Sequence, residues 1–204
     1  MLTTLPSIFR SYREAHPRVH LHLHESFTSR VVEGLENGVL DAGVLRDGDL
    51  VEGLNVVTIF SEPYVAVLPA THRLAKHKSI SAAALRDEPF VYYPRSAGDR
   101  AFEKPLSICE AQGFRPHIVQ EATHWLTIMR LIGAGFGVSI GPACVRRITS
   151  PEVVCISLRG TEVVSNIELA WLVGESRPIV KRFAQIAEDA SRIKGKSNRS
   201  IVIP

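Results

Sequence analysis

Between Arg18 and Gly48 the apolar residues change period twice, and no other feature narrows the fold of this chain as much. Val19, Leu21 and Leu23 alternate with His20, His22 and His24, which is the period of a half-buried strand. Val31, Val32 and Leu35 then recur at helical spacing behind Thr28, which reads as an N-cap, and Gly38 closes the segment. "LDAGVL" follows as a strand. Strand, helix and strand joined by so little loop predict a right-handed parallel βαβ unit, and hence a layered α/β fold.

The alternation continues on both sides. Leu2, Leu5, Ile8, Phe9 and Tyr12 form one face of an opening helix that His16-Pro17 ends. "LNVVTIF" and "YVAVLP" read as two short strands. After Pro69 the segment "THRLAKHKSISAAALRDEPF" is polar and turn-rich, with Ser81 as a helix cap. A second series starts at "FVYYP". It runs through a helix from about Asp99 to Gly113, strand "HIVQEA", a helix from about His124 to Ala134, and strands "GVSIG" and "VVCISL". "ELAWLV" then precedes a long helix with Ile179, Val180, Phe183, Ile186 and Ala187 on its apolar face. Two α/β lobes are expected, with the terminal helix returning to the first.

Composition permits this. With 45% hydrophobic and 22% charged residues, 204 residues can bury a sizeable core. The formal charge of +3 is too small to predict a nucleic-acid surface. Basic residues do gather in the tail, where Arg192, Lys194, Lys196 and Arg199 stand without an acid, and this reads as a solvated end. Cys109, Cys144 and Cys155 are odd in number and widely spaced, so neither a disulfide framework nor a zinc ribbon is indicated. No stretch approaches the roughly 18 apolar residues of a membrane span, and the start lacks the pattern of a signal peptide. The expectation is a cytoplasmic protein without membrane contact or cofactor.

Four motifs bear on chemistry. "GVSIG", Gly137 to Gly141, matches the GxSxG of serine hydrolases, but that elbow needs its serine on a turn between strand and helix, and here Ser139 falls inside a strand. A hydrolase using Ser139 is therefore a minor alternative. "GAGFG", Gly133 to Gly137, follows a helix instead of opening one, so it reads as a helix cap and tight turn, not a phosphate loop. His20, His22 and His24 lie in a row on one strand face and cannot easily converge on one ion, so no metal site is assigned. "PRSAGDRAF", Pro94 to Phe102, runs from a strand into a helix. Ser96, Gly98 and the amides of that helix start make an anion-friendly corner, to which Arg95 or Arg100 adds a charged donor. Ser26, Phe27 and Thr28 hold the equivalent strand-to-helix place in the first lobe. Such corners are where open α/β sheets bind small ligands.

Taken in order, "LPSIFRSYREAHPRVHLHLHESFT", "LENGVLDAGVLR", "EPYVAVLPATHRLA", "EPFVYYP" and "LIGAGFGVSIGPACVRR" resemble the effector-binding domain of LysR-type transcriptional regulators, most closely the muconate-responsive branch. The resemblance covers about Leu5 to Ala190. It implies a fold like type 2 periplasmic binding proteins, two α/β lobes joined by the crossovers "YVAVLP" and "ELAWLV". Lobe I would hold residues 1–66 and 169–194, lobe II residues 67–168, and 195–204 a flexible tail. It also implies a small carboxylate effector in the inter-lobe cleft, near Ser26, Phe27, Thr28, Arg46, Arg95, Ser96, Gly98, Asp99, Arg100 and Phe102. Self-association as dimer or tetramer is implied too, as is promoter binding through a helix-turn-helix. This sequence has no match to that helix-turn-helix, nor to the strand that precedes the first helix in the family; Thr3 or Thr4 would stand nearest its hydroxyl. A solute-binding protein for transport is the other alternative.

Overall fold

A computed structural model describes residues 5–48, 52–148, 150–175 and 177–197. The chain divides into two compact units, Met1–Ser61 with Asn166–Pro204, and Glu62–Ser165. It passes between them in two long strands, β2 (Leu54–Pro69) and β8 (Val164–Leu172). The expected lobe boundaries, after residues 66 and 168, fall inside these same two strands. Thr3 and Thr4 lie outside the described residues.

In unit 1, β1 (Gly43–Arg46) runs antiparallel to β8, with Leu45 opposite Glu168, and β8 in turn neighbours β2. Helices cover both faces. On one, α1 (Leu5–Ala15) and α5 (Pro178–Ser197) bury Leu5, Ile8, Ala184 and Ala187 against Ile59, Ile167 and Leu169. On the other, α2 (Thr28–Glu36) packs Val31 and Leu35 on Leu45 and Ala170. Tyr12 OH donates to Ile179 O at 3.0 Å and ties α1 to the start of α5, as the returning terminal helix requires. Helix α5 reaches Ser197, three residues into the segment expected to be a tail, and 198–204 lie outside the described residues.

Three expectations need correction here. Arg18 to Phe27 forms no strand, because no described strand hydrogen-bonds to it; Leu23 is 62% exposed, so period-two spacing did not place it in a core. The predicted βαβ unit is therefore absent at this point among the described residues. Thr28 is not an N-cap. Helix α2 starts at Thr28 itself, Phe27 takes the cap position, and the threonine hydroxyl turns to the backbone of Arg46. "LNVVTIF" and "YVAVLP" are one strand of 16 residues. Pro63 lies inside this strand, one residue before its pairing with β6 begins at Tyr64 opposite Pro142.

Unit 2 contains the second alternating series. The βαβ unit is β4 (Pro89–Tyr92), α3 (Asp99–Glu110) and β5 (His117–Glu121), with β4 and β5 parallel. α4 (Trp125–Gly133) leads into β6 (Ser139–Pro142), which runs antiparallel to β2, and β7 (Val153–Leu158) pairs with β2 and with the short β3 (Ser79–Ile80). Val138 bridges to Phe90, so β4 lies beside β6. "GAGFG" ends α4 as a Schellman cap: Phe136 N–H donates to Leu131 O, Gly135 N–H to Ile132 O, and Gly135 is left-handed at φ 85°. Ser81 caps a short 3-10 turn, accepting from Ala83 N–H.

One core consists of Tyr64, Ala66, Leu68, Phe90, Ile108, Cys109, Val138 and Ile140 with their neighbours. Cys109 is fully buried there, and burial pushes its thiol up to about 12. An acid whose folded value is raised destabilises the folded state once the unfolded thiol ionises. The native state should thus lose stability between about pH 9 and 12, by at most about 1.4 kcal/mol per pH unit for this one proton. Urea unfolding across that range checks this, with Cys109→Ala expected to flatten the slope; an unchanged slope contradicts the buried-thiol reading.

Candidate functional site

The two strand-to-helix ends carry most of the residues singled out by sequence. In unit 1, Ser26 is exposed, while Phe27 and Thr28 are half-buried at the start of α2. Thr28 Oγ1 sits 3.4 Å from both N and O of Arg46, so it closes onto the end of β1. The chain leaves β1 in a strained turn. Asp47, 1% exposed, has φ 46°, and its carboxylate accepts from Asn166 N–H at 2.8 Å. Gly48 N–H donates to the buried Glu168 at 2.8 Å. Two buried carboxylates of β1 and β8 thus fix the turn directly after Arg46, through backbone amides that would otherwise be orphaned.

In unit 2 the corner is built around Tyr93. Pro105, inside α3, has no N–H for the carbonyl of Ala101, and Tyr93 OH donates to that oxygen instead. Tyr92 OH donates to Phe102 O at 3.3 Å. Burial, with the neighbouring Tyr93 second, raises the Tyr92 phenol well above its ordinary value, so it serves as a donor and not as an acid. The Tyr93 ring stacks on Tyr92 at 4.4 Å and meets the rings of Phe102 and Trp125 edge-on at 6.3 and 6.2 Å. Tyr93 therefore joins the first turn of α3 to the first residue of α4. Trp125 in turn lies on Gly141, where an added Cβ would come within 2.3 Å of the indole.

Charge at this corner is largely committed. Arg95 lies over the Phe102 ring, 4.7 Å from its centroid, and pairs with Asp99 at 3.0 Å and with Glu103. Arg115 adds a second cation to Glu103 at 3.3 Å. Phe102, 6% exposed, belongs to a small core with Tyr92 and Leu106. Gly98, with φ 143°, turns the chain from a 3-10 turn at Arg95–Ala97 into α3, a backbone conformation suited to glycine. Ser96 is exposed and Arg100 half-buried. Asp99, in the first turn of α3, sits where the positive end of the helix attracts an anion.

Sequence reasoning missed Tyr93, Trp125 and Gly141. A signal for Trp125 existed: "HIVQEATHW" is a third strand-to-helix junction, of the kind that drew attention to Thr28 and Ser96. Ser139 offers no elbow. It is fully buried within β6, opposite Val67, and its hydroxyl has no hydrogen-bond partner among the described residues. His20, His22 and His24 are exposed, and no cluster of metal-binding side chains is found among the described residues. No helix among those residues is long and apolar enough to cross a membrane.

Residues 1–192 match the family model described as the LysR substrate binding domain. The chain belongs to that family. Among its curated relatives, the regulator AlsR of Bacillus subtilis is 32% identical over 183 residues, covering 90% of this chain and 61% of AlsR. The Hca operon transcriptional activator HcaR of Escherichia coli is 30% identical over 190 residues, covering 91% of this chain and 62% of HcaR. This family member thus spans about three-fifths of the length of these regulators. The solved BenM effector-binding domain with its effector benzoate superposes with a TM-score of 0.81 at 24% identity, covering 94% of this chain and 87% of that one. The domain has the type 2 periplasmic-binding-protein-like α/β fold that its sequence implied.

Proposed function

We propose that this domain is the ligand-sensing and self-associating part of a cytoplasmic transcriptional regulator, and that its effector is a small organic anion, an aromatic acid or a ring-cleavage product. Promoter contact is assigned to a helix-turn-helix domain outside these 204 residues. The observation that carries the effector class is the corner around Tyr93. There the starts of α3 and α4, with amides that no helical carbonyl satisfies, stand beside the aromatic wall of Tyr93 and Trp125. Amides suit the carboxylate and the rings suit an unsaturated or aromatic body.

Sensing needs no chemistry at the ligand. An effector shifts a conformational equilibrium only by as much as it binds one state better than another. The experiment is thermal unfolding in the presence of benzoate, cis,cis-muconate and related acids. An upward shift that grows with ligand concentration is expected for at least one carboxylate. No shift across aromatic acids and their ring-cleavage products would overturn the effector class.

A further inference from the structure

Unit 2 holds a concave surface that shares no residue with the Tyr93 corner. It is a cleft of about 530 Å³ lined by the apolar Met129 of α4, Ile148, Pro151 and Val153 together with Arg146 and Cys155. Ser150 completes the lining. A volume of this order lies within the range of small-molecule sites.

The cation of this cleft, Arg146, stands outside the ion pairs of the unit. Arg73, Arg95, Arg115 and Arg130 each meet a carboxylate within 3.3 Å. Arg146 meets none among the described residues; its guanidinium donates to a neutral acceptor, Ser157 Oγ, at 3.0 Å. That one bond holds it over the face of β7 that also bears Cys155 and Val153. The nearest acid in sequence, Glu152, is taken by Arg130 and by the hydroxyl of Ser150, both at 3.2 Å. A guanidinium has five N–H donors, so most of those on Arg146 remain for a ligand. An anchored cation beside apolar lining side chains selects an anion with a compact apolar body.

We propose that this cleft is a second ligand site, independent of the Tyr93 corner, that binds a small monocarboxylate with an apolar body through Arg146. The half-buried Cys155 reports on it directly. Iodoacetamide alkylation of the folded chain is followed at each cysteine by peptide mass spectrometry, with benzoate as the probe and neutral benzamide as the control. Benzoate at about four times its dissociation constant should slow Cys155 about fivefold and leave Cys144 unchanged. Benzamide should do neither, Arg146→Gln should abolish the protection, and Ser96→Ala, at the other corner, should retain it. Unprotected Cys155, protection that survives Arg146→Gln or is matched by benzamide, equal slowing at Cys144, or loss of protection in Ser96→Ala would each overturn the site. Failure of the Tyr93 corner to bind carboxylates would leave this result untouched.

Discussion

Asp47→Ala is expected to lower the unfolding free energy by about 2–4 kcal/mol. The substitution leaves the part-buried Asn166 N–H without its acceptor, a cost of about 1–3 kcal/mol. It also forces alanine into the φ of 46° that aspartate tolerates better, adding about 1 kcal/mol. Asp47→Asn keeps an acceptor oxygen and the tolerance, so it should cost about half as much or less. Urea unfolding of the two variants separates the contributions. A loss below about 0.5 kcal/mol for Asp47→Ala would mean that the turn after β1 is not held by this carboxylate.

Gly141→Ala should cost about 1–3 kcal/mol, because its methyl group would enter space that Trp125 occupies and push the indole off β6. The decisive form of this prediction is a double-mutant cycle. Trp125→Ala should be destabilising alone through lost packing, yet in its background Gly141→Ala should become nearly neutral, a coupling of about 1 kcal/mol or more. Additive effects would show that the glycine is needed for some reason other than the tryptophan seated on it. Since Trp125 also forms the wall of the proposed effector corner, Gly141→Ala should weaken carboxylate binding in proportion to how far the indole moves.

The second alternating series was legible because its helices are amphipathic and its strands, β5 excepted, are largely buried. From "FVYYP" to "VVCISL" every element expected there exists. Val19, Leu21 and Leu23 carry an equally clear period, but a strand is completed by its ladder partner, and alternation within one segment holds no information about whether that partner exists. The join of "LNVVTIF" to "YVAVLP" was hidden for a related reason. A proline between two apolar runs reads as a turn, yet Pro63 lies inside a single strand.

The site was legible in its backbone and not in its side chains. Strand-to-helix junctions can be found from local pattern, which is why the loops at Thr28 and at Arg95 to Phe102 stood out. What fills the unit 2 corner depends on contacts across the fold. Tyr93 is placed by a carbonyl that Pro105, twelve residues on, deprives of its donor, and Trp125 by a glycine sixteen residues on. The commitment of Arg95 to Asp99 and Glu103 has a similar origin. Sequence suggested a charged donor for the ligand, whereas the folded arrangement neutralises it and leaves the helix amides as the stronger candidates.

The central claim, that the unit 2 corner around Tyr93 holds a small carboxylate, is tested most directly by thermal unfolding of the wild-type chain, Ser96→Ala and Trp125→Ala against a concentration series of the carboxylate that stabilises the wild type most. The expected result is a concentration-dependent rise in Tm for the wild type and a rise at least about half lost in each variant at the same ligand concentration. Full-sized shifts in both variants would contradict the claim.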